Sequence, residues 1–279
     1  MTLPAGATDV RRVGGGDINE AFHVVLADGS EAFVKTRAGA HPREYATEAA
    51  GLEWLREPGA VRTPRVLEVA DGYLALEWVD RGRLTPAGVE ELGQGLARTH
   101  AAGAPCFGDF RPGGGAETRF GSLGLPNDPA EDWPTFYAER RLRPLARLAR
   151  DRRALAPAGV EAIERVCERL PELAGPAEPP ARLHGDLWGG NVMADAGGHP
   201  WLIDPSAYGG HREIDLAMLR LFGAPSERVF DAYQEVSPLA DGWEGRVGLY
   251  QLLPLLVHAL LFGGSYRFSA EATAAPYAR

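Results

Sequence analysis

The chain has 279 residues, enough for one large domain or for two lobes that share a cleft. Apolar residues make up 45% and charged residues 24%, a composition that excludes a disordered chain. A formal net charge of −9 argues against nucleic acid as a partner, because binding a phosphate backbone needs a basic surface.

Two cysteines, Cys106 and Cys167, share no CxxC spacing, so neither a disulfide framework nor a zinc site is expected. A cytoplasmic setting fits them. The N-terminal Met1-Thr2-Leu3-Pro4 has neither the basic nor the apolar segment of a signal peptide. The longest apolar run, Leu249 to Gly263, is broken by Gln251, Pro254 and His258 and is too short for a bilayer, so no membrane partner is expected.

In chain order, Glu20 to Ala27 reads as a strand, Asp28-Gly29 as a tight turn and Glu31 to Thr36 as the returning strand. A helix over about residues 42–56 follows, with an apolar face through Ala46, Ala49, Ala50 and Leu52, and Pro58-Gly59 ends it. Arg65 to Ala70 and Tyr73 to Val79 form a second hairpin around Asp71-Gly72. The expectation is a small antiparallel sheet with one helix over residues 1–80. Beyond it, residues 81–279 are mainly helical, which makes the class α+β. Thr85-Pro86 caps a helix to about Ala102. Residues 103–130, rich in Gly and Pro, read as an irregular loop. Helices are expected near 132–150, 157–171, 212–223, 226–235 and 243–262. Short strands at 182–183, 191–194 and 201–203 form an island between them.

That island carries the chemistry. In Leu183-His184-Gly185-Asp186-Leu187-Trp188-Gly189-Gly190-Asn191, an Asp is followed five residues on by an Asn, and Asp204 closes the apolar run Trp201-Leu202-Ile203. Kinase-type phosphotransferases use this spacing to set a catalytic base beside two oxygen ligands for magnesium. Asp186 suits the base, while Asn191 and Asp204 offer the hard oxygen donors that Mg2+ prefers. His184 would be a metal ligand in a phosphoesterase, but the other histidines form no matching set, so a structural brace is the better reading. Lys35, the sole lysine of the chain, ends the strand Ala32-Phe33-Val34 and would contact ATP phosphates, with Glu48 as its helix partner. Gly14-Gly15-Gly16 would cover the nucleotide with backbone N–H groups or simply connect strands; Gly15 and Gly16 are the candidate contacts. The main chain of Glu77 and Val79 would form an adenine-binding hinge, although a plain core strand is equally consistent. No GxxxxGK[ST] is present, which excludes a Walker-type site. Trp188 is either a core side chain or a platform for a sugar's apolar face. Asp215 would support the catalytic loop, and His211 and Glu213 would face the cleft as substrate contacts, with helix capping an equal alternative for Glu213.

Taken together, Gly15-Gly16-Asp17-Ile18-Asn19, Lys35, Glu48-Ala49-Ala50-Gly51-Leu52, the His184–Asn191 loop, Asp204 to Met218, Leu221-Phe222-Gly223, Arg246 and His258 closely resemble the fructosamine kinases, or ketosamine-3-kinases. The resemblance covers nearly the whole chain. It implies a bilobal protein-kinase-like fold, similar to that of aminoglycoside phosphotransferases. It also implies ATP- and Mg2+-dependent phosphorylation of the sugar 3-hydroxyl in ketosamines, small or on glycated proteins; a monomer is expected. On that reading Trp188 stacks on the sugar. Gly16-Asp17 replace the cysteine of many eukaryotic relatives, so a redox-linked dimer is not expected. A kinase of the same fold acting on an aminoglycoside, choline or a free sugar is the nearest alternative, and a non-catalytic nucleotide-binding regulator a more distant one.

Overall fold

The computed structural model describes residues 4–14, 19–41, 43–111 and 117–279. The N-terminal part is an antiparallel sheet of five strands, β1 (Ala7–Val13), β2 (Glu20–Leu26), β3 (Glu31–Thr36), β4 (Val66–Ala70) and β5 (Tyr73–Glu77), in the order β1-β2-β3-β5-β4. Helix α1 (Glu44–Arg56) covers one face. The two expected hairpins are present, and β1 adds a strand that the sequence reading did not place. Its pattern is mostly exposed, so its hydrophobic alternation is faint, and it joins only by pairing with β2.

Alternation along β3 decides where Lys35 goes. Ala32 and Val34 pack on one face with Phe22, Val24, Tyr73 and Ala75. Phe33 therefore points the other way, onto the cluster of Tyr45, Ala49, Leu52, Leu74 and Leu76 under α1, and Lys35, two residues on, shares its face. Tyr45, Ala49 and Leu52 lie on one stripe of α1, and Glu48 stands beside it, one turn from Tyr45.

The rest of the chain is mainly helical. Thr85 caps α2 (Pro86–Ala101) through its hydroxyl, which accepts from the Gly88 N–H at 3.0 Å. The segment read as an irregular loop contains a hairpin, β6 (Glu117–Phe120) and β7 (Leu123–Pro126). Its buried Thr118, Phe120, Leu123 and Leu125 alternate as a strand should, but Gly and Pro on both sides mask the period. The expected long helix at 132–150 is divided into α3 (Trp133–Tyr137), a π turn (Ala138–Leu142) and α4 (Arg143–Asp151). Helices α5 (Pro157–Leu173), α6 (Glu213–Leu221), α7 (Arg228–Val236), α8 (Trp243–Leu261) and α9 (Ser265–Ala274) complete it, α9 having gone unread in the sequence. Among them lie the short strands β8 (Ala181–Leu183), β9 (Val192–Ala194), β10 (Pro200–Leu202) and β11 (Tyr208–Gly210). One apolar core joins α3–α5 to α8 and α9; a second joins α2, α6 and α7.

Several contacts press α1 against this helical part. Trp54 stacks on Phe110 with ring centroids 4.0 Å apart, and the Arg182 guanidinium sits 4.6 Å over the Trp54 ring while pairing with Glu57 at 2.7 Å. Arg111 donates to the Thr47 hydroxyl at 3.1 Å. No described helix is long and apolar enough to cross a membrane.

Candidate active site

The loop after β8 is held from below by a buried carboxylate. Asp215, on the first turn of α6, accepts from the backbone N–H of His184 at 2.7 Å and of Gly185 at 2.9 Å, and contacts His100 Nε2 at 3.2 Å. Gly185 has φ of +82°, and a Cβ there would run into the Ser206 carbonyl, so only glycine fits this turn. His184 is wedged between the two halves of the site. Its Nε2 donates to the Ile203 carbonyl at 3.0 Å and its Nδ1 accepts from the Asp186 N–H at 3.3 Å. That pattern requires one neutral tautomer, and burial lowers the pKa accordingly.

Asp186 follows, half-buried at the loop's turn. Asn191 Nδ2 donates to the Asp186 carbonyl at 2.8 Å and to its carboxylate at 3.3 Å, so the two side chains are locked together across a single 3₁₀ turn. Burial pushes the Asp186 carboxyl up to about 7, the Asp204 charge adds to the rise, and the Asn191 hydrogen bond works against it. Asp204 adopts φ of +54°, a left-handed conformation that Asp tolerates, and this turns its carboxylate toward Lys35. Lys35 Nζ lies 2.9 Å from Asp204 Oδ1 and forms an ion pair with Glu48. Burial opposes its charge, but these two carboxylates hold the ammonium above the ordinary lysine range. Burial likewise drives Glu48 up to about 7 against the pull of Lys35, while Lys35 keeps Asp204 low despite its partial burial. The sheet, α1, the loop after β8 and the turn after β10 thus deliver Lys35, Glu48, Asp186, Asn191 and Asp204 to one place.

The remaining expected site residues differ in placement. Gly15 and Gly16 lie outside the described residues, as does Asp17. Glu77 ends β5 with its carboxylate bonded to the Arg65 N–H at 3.1 Å, and Val79 follows outside the paired strand. Trp188 is 40% exposed next to the base. His211 and Glu213 do not face the cleft: both are only 2% exposed. His211 stacks on Tyr250 at 5.3 Å, and Glu213 pairs with Arg246 at 2.6 Å, so the substrate contacts expected of them are corrected to packing and ion pairing inside the helical part. Expectation missed His100, whose buried ring links Asp215 to the Tyr233 hydroxyl at 2.8 Å. Its position on the inner face of an amphipathic helix was the available signal.

A sequence profile of fructosamine kinases matches residues 2–277. The chain belongs to the fructosamine kinase family. Within the family, a probable ketoamine kinase of Synechocystis sp. is 35% identical over 267 residues, covering 94% of this chain and 87% of that protein. The chloroplastic protein-ribulosamine 3-kinase of Arabidopsis thaliana is 35% identical over 98% of this chain and 83% of its own length. A Thermobifida fusca structure, solved as a candidate fructosamine-3-kinase, superposes with a TM-score of 0.90 at 45% identity, covering 97% of this chain and 93% of that one. An aminoglycoside phosphotransferase, at 16% identity and a TM-score of 0.63 over 98% of this chain and 94% of its own, shares the fold alone. This fructosamine kinase family member therefore has the bilobal protein-kinase-like architecture, a small antiparallel sheet lobe with one helix and a larger helical lobe.

Proposed function

We propose that the protein transfers the terminal phosphate of ATP to the 3-hydroxyl of a ketosamine sugar, small or protein-bound. The observation that carries this reading is the convergence of Lys35, Glu48 and Asp204 on one side of Asp186, whose carboxyl is poised near neutrality. The hydroxyl attacks the terminal phosphorus, the bond to the bridging oxygen breaks, and ADP leaves. Asp186 accepts the hydroxyl proton, a role suited to a base with a pKa close to the working pH. Its orientation comes from Asn191, and the neutral His184 tautomer keeps the loop in register. Lys35, aligned by Glu48, holds the donor phosphates.

Magnesium would be held by Asp204 and Asn191 and would neutralise phosphate charge. The donor set fits it: Asp204 brings a carboxylate and Asn191 an amide oxygen, with Asn191 anchored beside the base through its Nδ2, and Mg2+ commonly relies on one or two carboxylates plus substrate phosphates. Glu77 and Val79 would offer the adenine hinge, with the lobe boundary near residue 80, where the main chain at Arg81 pairs antiparallel with that at Asp195. Trp188 would stack on the sugar. The unpaired thiols Cys106 and Cys167 accord with a reducing cytoplasm.

The test is ADP release on incubation with Mg-ATP and fructosyl-lysine, set beside aminoglycosides and choline. Turnover of the ketosamine that falls about 10²–10⁴-fold in Asp186→Ala is the expected result. Undiminished release by that variant, or preference for another acceptor, refutes the reading.

A further inference from the structure

Trp188 does not end the apolar surface beside Asp186. Its ring meets Phe222 edge-on with centroids 6.3 Å apart, and Phe222 contacts His258 at 4.6 Å. His258 in turn contacts Tyr266 at 4.9 Å and Phe262 at 5.3 Å. Five rings, from the loop after β8, the end of α6, the end of α8 and the start of α9, thus form one continuous strip. Its two ends stay open to solvent, Trp188 at 40% and Phe262 at 55% exposure.

Local structure maintains the strip. A Cβ at residue 190 would overlap the six-membered ring of Trp188, so Gly190 is what lets the indole fold over the loop. His258 Nδ1 donates to the Pro254 carbonyl at 2.8 Å, which orients the ring, while burial lowers its pKa against that bond, so none of the five side chains carries a charge at neutral pH. Phe222 also walls a groove of about 400 Å³ with Leu84, Val192 and Pro225, and among the described residues no charged side chain lines it. An apolar aromatic surface open to water at a cleft is unusual unless something covers it.

We propose that this strip is the subsite for the amine-derived part of the acceptor, and that it selects ketosamines whose amine carries an apolar or aromatic side chain. The inference rests on the ketosamine reading above. In a ketosamine, two carbons separate the carbon bearing the 3-hydroxyl from the nitrogen. With that hydroxyl at Asp186, the nitrogen and its substituent must leave the sugar nearby, and the strip begins two residues away at Trp188. The secondary ammonium is cationic at neutral pH and is attracted to aromatic faces. Beyond it, an apolar substituent would stack along Phe222, His258, Tyr266 and Phe262.

The test compares kcat/KM for N-fructosyl-phenylalanine and N-fructosyl-glycine with Mg-ATP, in the wild type and in Phe262→Ala and Phe222→Leu. The wild type should favour the phenylalanine adduct, and each variant should lower that preference about three- to tenfold, through KM. Phe268→Ala is the control: that ring is 67% exposed on α9 but takes part in none of the strip's ring contacts, so the preference should persist. An unchanged preference in both strip variants, an equal loss for both substrates, or the same fall in Phe268→Ala overturns the subsite while leaving the kinase reading intact. No turnover of either ketosamine by the wild type refutes the kinase reading and the subsite with it.

Discussion

Asp186→Asn should make the protein more stable while disabling it. The carboxyl stands at about 7 in the folded protein against an ordinary 3.8, mainly because burial disfavours its charge. A folded state that holds this proton longer than the unfolded chain loses stability as pH rises through that window, at about 1.4 kcal/mol per pH unit. The full window corresponds to roughly 4 kcal/mol, and partial exposure of the site reduces it to on the order of 1–2 kcal/mol. Asparagine keeps the shape and still offers an oxygen to Asn191 Nδ2, but carries no charge to desolvate. Urea unfolding of both proteins at pH 8 and at pH 4 is the assay. At pH 8 the variant should be the more stable by that amount; at pH 4, where the wild-type carboxyl is protonated when folded, the gap should nearly close. A variant less stable than wild type at pH 8, or a gap that does not narrow in acid, refutes the argument.

Three further outcomes are expected. Asp215→Ala should cost roughly 2–4 kcal/mol in denaturant unfolding, since it strands the buried N–H groups of His184 and Gly185, and kcat should fall with it. Lys35→Met should reduce kcat/KM at least about 10²-fold, because Lys35 is the cation that pairs with both Asp204 and Glu48 among the described residues; near-normal kinetics would remove Lys35 from the mechanism. Glu213→Ala should lower the Tm, by leaving Arg246 without its partner, yet keep the KM of ketosamines within about twofold. A selective rise in KM would restore the substrate contact that its burial argues against.

The N-terminal sheet and its helix were legible because each element carries a strong local signal: Asp28-Gly29 and Asp71-Gly72 turns, the apolar face through Ala49 and Leu52, the proline-glycine stop, although Ala46, read onto that face, is exposed and Tyr45 is buried instead. Strand β1 and the β6–β7 hairpin were not, since pairing across a sheet stabilises them more than any pattern of their own. His211 and Glu213 were misplaced for a related reason. Polar residues before a helix read as cleft contacts, and nothing local announces that Tyr250 and Arg246, more than thirty residues on, will cover them.

The amino-acid sequence by itself determined the reagents: an Asp and an Asn five apart, a second Asp after an apolar run, and a single lysine on a strand. Spacing of this kind survives in one dimension because each group is presented by a short loop of defined length. Their electrostatics belonged to the tertiary structure. Lys35 and Asp204 are 169 positions apart and meet at 2.9 Å only because α1 is pressed against the helical lobe. Asp186 is brought near neutrality by burial, a property of the folded whole that no local segment encodes.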